Sequence, residues 1–444
     1  MLDALRKLIP LDSPIRVVYH KMRAVVAAFA YGFPANGMVV IGVTGTDGKT
    51  TTATMIAKLL EDAGHTVGLL STVAISIAGK REVNDRKMTS FDPFTMNRYL
   101  RRMAKAGCDY VVLETSSHAI FYDRIWGVNF DVAALTHISS DHLDLHRTLE
   151  NYVRTKRRLF ERINGSPRKP GVAKVIVLNQ DDTYFAEFDE LTADKKITYG
   201  VQTAAQVHGA IREVAPAYTR FNVEVANESQ GVLLPFGGQF HVSNALAAIS
   251  VGLSQGLTLQ QCARSLEFFQ GVPGRMESIK NAAGYNVIVD YAHTENGLLQ
   301  VLKSARESNP NHAITLVFGA PGERDEGKRP KMGSIAAGIA DYVILTDDDP
   351  GAEPSNRILS QVENGIGREE GEKYWVIPDR RSAIRTALYL SDRSDTVLIT
   401  GKGSEPVQLT NAGKIPWSDK GVAEEILHEL EEKQSEAYPV SVSL

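Results

Sequence analysis

Short apolar runs rich in β-branched residues alternate with longer helical patterns along most of this chain, and no other feature limits its fold as strongly. Parallel strands need a crossover connection, usually a helix, so the alternation predicts an α/β fold with a parallel sheet. In the first half, five runs are predicted as strands: Val39–Val43, Val67–Leu70, Tyr110–Leu113, Val132–Leu135 and Val175–Leu178. Between about residues 205 and 239 the pattern alternates strictly, which predicts a small antiparallel insert, and a helical stretch over 243–255 follows.

A second α/β series begins near residue 276 and predicts a second, Rossmann-like domain. Its predicted strands are Val287–Val289, Ile314–Phe318, Tyr342–Leu345, Trp375–Ile377 and Val397–Ile399. The turn at residues 271–274 supplies the boundary, because Gly and Pro interrupt regular structure more strongly than other residues. We expect a helical N-terminal segment (1–37), a central domain (38–274) and a C-terminal domain (275–444).

The composition limits the classes of partner. Lys and Arg total 49 against 53 Asp and Glu, a formal charge of -4, so no overall basic field attracts nucleic acid. Two distant cysteines, Cys108 and Cys262, exclude a disulfide framework and fit a reducing compartment. Gly and Pro interrupt the uncharged stretch 24–46, so neither part reaches the roughly 20 apolar residues of a membrane span. We expect a cytoplasmic protein without stable membrane insertion.

An amphipathic helix is predicted to begin at Pro14. Apolar residues recur on one face: Val18, Met22, Val25 and Phe29. Basic residues lie on the opposite face: Arg16, His20 and Arg23. The helix could lie in a membrane interface or pack on the next domain, and we favour packing because one short helix with three basic residues anchors weakly.

The strand Val39–Val43 runs directly into the loop 44–52, whose sequence is TGTDGKTTT, and a helical pattern follows. Strand, glycine loop and helix N-terminus are the context of a phosphate-binding loop, because backbone N–H groups and the helix end both favour an anion. Lys49 would then pair with the β- and γ-phosphates, and Thr50 would ligate Mg²⁺. Valine occupies the first glycine position of the general motif, so the alternative is a glycine turn with an incidental lysine, which the flanking elements disfavour.

Polar side chains follow the next two strands. Glu114 ends the third strand and is expected to face the phosphate loop, where a carboxylate suits Mg²⁺. The segment after the fourth strand, 136–146, holds three histidines and two aspartates. Such a cluster could bind zinc or merely cap a helix, but beside ATP phosphates magnesium is the better interpretation.

These residues resemble the Mur ligases, the ATP-dependent amide-forming enzymes of peptidoglycan synthesis. The matching segments, in family order, are Gly45–Thr50, Glu114–His118, Asp141–His146, Glu150–Lys156, Gly274–Glu277, Asp290–Thr294, Gly327–Gly333 and Gly401–Glu405. The chain looks most like the MurE type, which adds the third amino acid to UDP-N-acetylmuramoyl-L-alanyl-D-glutamate. The resemblance implies that the central domain is the ATPase domain and that a monomer acts on small molecules, a muramoyl-peptide precursor and an amino acid.

The resemblance also implies roles for individual residues. ATP and two Mg²⁺ ions would be the cofactors, together with a lysine carbamate derived from CO2. The catalytic and metal-binding residues implied are Lys49, Thr50, Glu114, His142 and Lys156, the last as the carbamate. The nucleotide-binding residues implied are Gly45, Thr46, Asp47, Gly48, Lys49, Thr50, Thr51, Asn244, Arg275 and Asp290. The substrate-binding residues implied are Thr89, Ser90, Ser116, His293, Asp348, Asp349, Gly401 and Glu405.

The chain departs from the family pattern where the substrates would bind. Residues 348–351 read Asp-Asp-Pro-Gly instead of the Asp-Asn-Pro-Arg of diaminopimelate-adding members. Without the arginine a distal carboxylate has no bidentate partner, so lysine or another amine is favoured, with Asp348 or Asp349 as its charge partner. Ser404 replaces the usual histidine of the Gly-Lys-Gly-His-Glu motif, and residues 89–91 read Thr-Ser-Phe instead of Thr-Thr-Pro.

The segment before the phosphate loop is shorter than the UDP-binding domain of about a hundred residues found in this type. We therefore expect that UDP is held differently or that the acceptor is not a UDP-sugar. Two further interpretations are a folylpolyglutamate synthase-like or pseudomurein-type ligase, and a catalytically silent nucleotide-binding homologue. Asp349-Pro350 and residues 401–405 favour the MurE type, and the retained Lys49 and Lys156 disfavour a silent protein.

Overall fold

In the computed structural model, residues 10–84, 89, 91–216, 218–282 and 284–437 are described. The chain divides into two compact units. The first comprises Met1–Glu213, Arg220–Leu234 and His241–Gln270, and the second comprises Val214–Thr219, Pro235–Phe240 and Gly271–Leu444. No helix among the described residues is long and apolar enough to cross a membrane.

An eleven-stranded sheet dominates the first unit and runs in the order β11-β10-β9-β8-β7-β6-β1-β5-β2-β3-β4. Its strands are β1 (Val39–Thr44), β2 (Val67–Leu70), β3 (Ala74–Ile77), β4 (Lys80–Val83), β5 (Tyr110–Glu114), β6 (Val132–Leu135), β7 (Val175–Asn179), β8 (Lys195–Gly200), β9 (Val207–Ala215), β10 (Tyr218–Val225) and β11 (Glu228–Leu234). Strand β1 pairs in parallel with β5 on one side and β6 on the other. The predicted α/β architecture with a parallel sheet is confirmed.

The helices around this sheet are α1 (Pro14–Tyr31), α2 (Lys49–Asp62), α3 (Pro93–Lys105), α4 (Ser117–Phe121), α5 (Leu143–His146), α6 (Leu149–Gly165), α7 (Phe185–Asp189), α8 (Phe240–Ser254) and α9 (Leu259–Glu267). A short 3-10 helix, Pro34–Gly37, joins α1 to β1. Because α2 follows β1 directly, its N-terminus lies at the carboxyl end of the central strand, where ligands of open α/β sheets bind.

Three features of the sheet differ from the sequence prediction, and the first is strand β8, which was not predicted. Strands β9 to β11 form within the predicted insert, but β9 pairs in parallel with β8 and so extends the main sheet. The hairpin of β3 and β4 was not predicted, because its strands are only four residues long. Ala78 and Gly79 join them with φ values of 50° and 79°, the backbone of a tight hairpin turn.

The N-terminal helix begins at Pro14, as predicted, and it buries the face opposite to most of its large apolar residues. Helix α1 does pack on its own unit, against α3, but through the small residues Ala24, Ala27 and Ala28, which are buried. Three of the four apolar residues on the other face are exposed, with Val18 56%, Met22 62% and Phe29 66% accessible, and Val25 is half-buried. Small side chains let two helices approach closely, and this close packing determines which face is buried.

The second unit contains a six-stranded sheet in the order β12-β13-β17-β14-β15-β16, parallel except for the edge pair of β12 and β13. Its strands are β12 (Glu277–Ile279), β13 (Asn286–Asp290), β14 (Ile314–Phe318), β15 (Tyr342–Leu345), β16 (Tyr374–Val376) and β17 (Thr396–Thr400). Its helices are α10 (Glu295–Ser308), α11 (Lys328–Ile339), α12 (Ser355–Glu363), α13 (Arg380–Leu390) and α14 (Asp419–Ala437). A separate hairpin, β18 (Val407–Thr410) and β19 (Gly413–Pro416), was not predicted.

Candidate active site

The phosphate loop joins β1 to α2 through two glycines that no other residue could replace without displacement of neighbours. A Cβ atom at Gly45 would lie 1.9 Å from Thr136 Oγ1, and one at Gly48 would lie 2.1 Å from Asn244 Oδ1. Gly48 is also the N-cap of α2, with a φ of 81°. The loop therefore packs closely against Thr136, which follows β6, and against Asn244. The first turn of α2 is a position that favours an anion.

Two lysines donate hydrogen bonds to carbonyl oxygens of this loop. Lys49 Nζ lies 2.6 Å from Thr46 O, and Lys156 Nζ lies 2.6 Å from Gly45 O. Lys156 is buried, and its amine lies 4.3 Å from the centre of the Tyr152 ring. Burial, and then the charge of Lys49, lower the pKa of Lys156 well below its ordinary value. A neutral amine at this position is the form that reacts with CO2.

Glu114, at the end of β5, accepts hydrogen bonds from two threonines. Thr50 Oγ1 lies 3.1 Å from each carboxylate oxygen, so the structure brings together two of the residues expected at Mg²⁺. Thr72 donates from its backbone N at 2.7 Å and from its hydroxyl at 2.9 Å. Thr72 follows β2, which pairs in parallel with β5, and this neighbouring position explains the contact. Sequence reasoning missed Thr72.

His142 lies in a group of imidazole rings beside α5. Its ring centroid is 4.6 Å from that of His118, and its Nε2 lies 3.3 Å from Asp141 Oδ2. Burial, and then the neighbouring His142, lower the pKa of His118 to about 3, while burial and Lys156 lower the pKa of His146 to about 4. Among the residues that the structure describes, no three His, Cys, Asp or Glu side chains form a metal-binding group, so the zinc interpretation gains no support.

A pocket opens beside Glu114 between β5 and the loop that follows α4. Its lining is mostly apolar, with Leu70, Phe91 and Leu113 among the residues, and Arg124 adds a positive charge. The Nε atom of Arg124 is buried without a hydrogen-bond partner, and burial lowers the pKa of its guanidinium. The guanidinium also lies 5.0 Å from the centre of the Tyr122 ring, and a half-buried cation beside a prospective metal ligand suits an anionic group of a substrate. Sequence reasoning missed Arg124 because a single arginine, six residues after His118, forms no spacing pattern.

The other residues expected in this unit have varied surroundings. Thr89 lines the pocket and its hydroxyl oxygen lies 2.9 Å from that of Thr72, whereas Ser90 lies outside the described residues. Ser116 caps α4 by accepting from Ala119 N at 3.3 Å, so this hydroxyl already has a structural role. Asn244 Oδ1 accepts from Thr52 Oγ1 at 3.4 Å, which places Asn244 beside the first turn of α2.

In the second unit, Asp290 organises the turn that carries Arg275. Its carboxylate accepts from Met276 N and Ala292 N, each at 2.7 Å. The Arg275 guanidinium lies 4.4 Å from the centre of the Tyr291 ring, and His293 Nδ1 lies 2.8 Å from Tyr291 O. Asp290 and Arg275, the two residues expected at the nucleotide in this unit, therefore lie close together, because Asp290 accepts a hydrogen bond from the residue that follows Arg275.

A buried lysine joins the acidic residues expected at the amino acid substrate. Lys402 Nζ lies 2.6 Å from Asp349 Oδ1 and 2.6 Å from Glu405 Oε2. Burial opposes the charge of Lys402, but Asp348, Glu405 and Asp349 outweigh it and raise its pKa. Asp348 is itself buried next to Gly401, and burial raises its pKa to about 6. Asp349 is therefore already paired within the protein, which sequence reasoning did not anticipate because it assigned Lys402 no role.

Comparison with protein-family models matches both halves of the chain. Residues 43–252 match the Mur ligase middle domain, and residues 274–403 match the family described as Mur ligase, glutamate ligase domain. A UDP-N-acetylmuramyl-tripeptide synthetase from Roseiflexus sp. (strain RS-1) is 37% identical over 417 residues, which cover 92% of this chain and 82% of that protein. A UDP-N-acetylmuramoyl-L-alanyl-D-glutamate–2,6-diaminopimelate ligase from Clostridium botulinum is 35% identical over 412 residues, with the same two coverages of 92% and 82%.

Solved structures agree with these relatives. A structure of a UDP-N-acetylmuramoyl-L-alanyl-D-glutamate–2,6-diaminopimelate ligase has a TM-score of 0.65 at 30% identity, over 94% of this chain and 83% of that one. A Mycobacterium tuberculosis folylpolyglutamate synthase complexed with ADP has a TM-score of 0.70 over 86% of this chain and 91% of that one, but at 19% identity this likeness concerns the fold alone. From the two family matches, which together span most of the sequence, and from these relatives, we conclude that the chain belongs to the Mur ligase family.

Proposed function

We propose that this protein is a MurE-type ligase that uses ATP to join an amino acid to the carboxylate of a muramoyl-peptide precursor. The carrying observation is the meeting of Thr50 and Glu114 at the end of the phosphate loop, where Lys156 is also buried. The names of its relatives, which are tripeptide synthetases and diaminopimelate ligases, support the same reaction. Substrates of this kind are cytoplasmic small molecules, so we place the enzyme in the cytoplasm and expect a monomer.

The reaction has two displacements. A carboxylate is a poor acylating agent, so its oxygen first attacks the γ-phosphorus of ATP, and ADP leaves as the bond to the bridging oxygen breaks. The amine nitrogen then attacks the carbonyl carbon of the acyl phosphate, phosphate leaves, and the nitrogen loses a proton to give the amide. Lys49 and the N–H groups at the start of α2 would hold the phosphates in line, because phosphoryl transfer depends mainly on positioning and on charge neutralisation.

Magnesium fits the oxygen donors at this site. Thr50 and Glu114 offer a hydroxyl and a carboxylate on one side of the loop, and hard oxygen ligands of this kind suit Mg²⁺. When bound there, the ion would neutralise charge on the phosphates. His142 is the third ligand that we propose, and a second ion would involve the Lys156 carbamate.

A carbamate on Lys156 is consistent with the surroundings of its amine. The neutral amine would attack CO2, forming an N–C bond and releasing one proton, and the product would be an anion. Lys49 lies close enough to influence the charge of Lys156, so it would stabilise the negative product. We infer that the modified side chain turns a group that repels cations into one that supplies oxygen ligands.

The pocket next to Glu114 is our proposed site for the acceptor. Arg124 would pair with an anionic group of the muramoyl peptide, and the apolar lining would contact its uncharged parts. This arrangement would bring the acceptor carboxylate towards the γ-phosphate.

The test is an assay of purified protein with ATP, Mg²⁺, UDP-muramoyl dipeptide and a panel of amino acids. Phosphate release and the mass of the product are the two measurements. We expect phosphate release that requires both acceptor and amine, and a product heavier than the acceptor by one amino acid residue. A Lys49→Ala variant, which lacks the phosphate-binding lysine, is the control for contaminating ATPases. Phosphate release that no amine stimulates would reject the ligase proposal.

A further inference from the structure

The exposed face of helix α1 forms a continuous apolar surface, which we call the apolar stripe. Its members on the helix are Ile15, Val18, Tyr19, Met22, Val26 and Phe29, and Leu11 continues it in the turn before the helix. Each of these residues is between 42% and 68% accessible. Their spacing places them on one side of a helix about 27 Å long. Together they expose roughly 700 Å² of apolar surface, more than the largest patch on a typical monomeric protein.

Contacts of the opposite face fix the direction of the stripe. Ala24 and its neighbours are buried, Arg23 pairs with Asp92 at 3.5 Å, and Lys21 pairs with Asp123 at 3.2 Å. Two basic residues of α1, Lys21 and Arg23, are therefore paired with carboxylates of the same unit. Rotation of the helix to bury the stripe would break these pairs, so the stripe faces outward in the folded protein.

A row of basic residues adjoins the C-terminal end of the stripe. Helix α3, which packs against α1, carries four basic residues and no acidic one. Three of them, Arg98, Arg101 and Lys105, are exposed and lie at i, i+3 and i+7, so they share one face of α3. Arg101 Nη1 donates to Tyr31 O, the last residue of α1, at 3.2 Å. We call these three residues the cationic row.

We propose that the apolar stripe and the cationic row dock this enzyme on the surface of an anionic lipid bilayer. A helix lying in the interface gains free energy from apolar burial and from attraction between basic residues and acidic headgroups. A second copy of the chain could bury the stripe, but it would bring the same basic row and not the anionic surface that the row requires. The docking is peripheral, since α1 would lie along the surface without crossing it.

Flotation of the purified full-length protein with vesicles tests the proposal. One set of vesicles contains phosphatidylethanolamine and phosphatidylglycerol in equal amounts, and the other contains phosphatidylcholine alone. We expect the protein to float with the anionic vesicles, to float much less with the neutral ones, and to be released in part by added salt. Each basic residue near an acidic surface contributes about fivefold to such binding, so the preference should be large.

Two pairs of variants separate the contributions of the two surfaces. Phe29→Glu should abolish flotation, whereas Phe268→Glu, at a residue of similar exposure (62%) outside the stripe, should leave it unchanged. The double variant Arg98→Gln and Lys105→Gln should weaken binding by about 25-fold and reduce its salt dependence. The matched control is Arg264→Gln with Lys303→Gln, which removes two exposed basic residues elsewhere.

Circular dichroism of each variant tests whether the fold is retained. We expect that it is, because all the substituted side chains are exposed. Sedimentation velocity without lipid measures whether the protein is a monomer or a dimer, and so tests self-association through the stripe. A wild-type dimer that Phe29→Glu converts to a monomer, without any flotation, would assign the stripe to self-association and overturn the proposal. Flotation that survives Phe29→Glu would overturn it too.

Discussion

At the scale of single residues, burial shifts the pKa of side chains such as Lys156 and Asp348, and sequence motifs do not indicate these shifts. Lys49, Glu114 and Lys156 were expected at the site because they belong to ordered motifs. Thr72 and Arg124 were not, because a lone threonine or arginine has no characteristic spacing. Thr72 contacts Glu114 because β2 and β5 are neighbours in the sheet, and the local sequence does not predict which strands are neighbours.

Replacement of Lys156 by alanine is predicted to abolish ligase activity. The variant would lose the carbamate oxygens that we propose for metal binding, whereas Lys49 and the phosphate loop would remain. Short-chain carboxylates such as propionate should restore part of the activity because they can place a carboxylate in the space left by the side chain, and bicarbonate should not. Phosphate release with and without these additives is the measurement.

The control for this experiment is Lys80→Ala, which removes an exposed lysine of β4 and should neither lose activity nor respond to propionate. A mass spectrum of the intact wild-type protein that is recorded without acid should show the added CO2. Full activity of Lys156→Ala would contradict the carbamate proposal.

Replacement of Arg124 by alanine is predicted to weaken binding of the acceptor and not of ATP. A charge-assisted hydrogen bond contributes about 1.5–3 kcal/mol, so the KM for the acceptor should rise by roughly 10- to 100-fold. The KM for ATP should change little, since the loop contacts of Lys49 and Thr50 are intact. Steady-state kinetics with each substrate varied in turn provides both values.

Arg147→Ala is the matched control, because the Arg147 side chain is 70% exposed and pairs with Asp12 at the surface. It should leave both KM values unchanged. An equal rise of both values in Arg124→Ala would indicate a general disturbance of the site and would count against an acceptor contact.

At the scale of elements, the sequence predicted the positions of most helices and strands. It did not predict which face of helix α1 is buried. The amphipathic pattern of α1 showed that two faces exist, and most of the larger apolar residues lie on the one that is exposed. The protein buries Ala24, Ala27 and Ala28 because small side chains permit close packing on α3. The β3 and β4 hairpin was missed for a different reason, since strands of four residues give too few alternations to recognise.

The buried ion pair between α13 and α14 is predicted to be essential for the stability of the second unit. Arg380 donates from Nε and Nη2 to the two carboxylate oxygens of Asp419, each at 2.7 Å, and both side chains are fully buried. Asp419→Ala removes the carboxylate paired with the buried guanidinium, which keeps its hydrogen bond to Thr400 O, and should lower the free energy of unfolding by about 3–5 kcal/mol. Hydrogen exchange of the β17 amides in increasing denaturant measures the effect within this unit.

The same two helices provide a control. Arg381 and Glu425 also join α13 to α14, at 2.6 Å, but their side chains are 42% and 61% exposed. Glu425→Ala should therefore change the exchange of the β17 amides very little, because water screens such a pair. Similar losses in the two variants would show that burial does not distinguish these ion pairs.

At the scale of the whole molecule, the sequence predicted two α/β regions and their order, while the extent of each sheet depended on pairings between distant strands. Strand β9 joins β8 through only two residue pairs, Tyr199 with Val207 and Gly200 with His208, and this short contact carries β9 to β11 onto the main sheet. Local alternation cannot reveal such a connection. The contact of Lys402 with Asp349 likewise joins residues more than fifty positions apart, and we propose that it contributes to substrate choice.

The amine substrate is predicted to be L-lysine or a similar diamine in preference to diaminopimelate. Gly351 occupies the position of the arginine in the Asp-Asn-Pro-Arg motif that the family resemblance implies for diaminopimelate addition, so no guanidinium is present at that position to pair with a distal carboxylate. In assays with each amine, kcat/KM for L-lysine should exceed that for diaminopimelate by roughly tenfold or more. Gly351→Arg should narrow this difference by improving the use of diaminopimelate.

Gly367→Arg is a closely matched control. Both glycines have left-handed backbone, with φ values of 62° and 61°; a Cβ at Gly367 would meet no atom within 4 Å, and one at Gly351 would lie 3.1 Å from Glu323 Oε2, the end of a flexible side chain. The strain of an arginine in this conformation is thus shared by both variants, and only Gly351→Arg places its guanidinium near the Asp348-Asp349 segment. A wild-type enzyme that already prefers diaminopimelate, or an equal response of the two variants, would show that residue 351 does not select the amine.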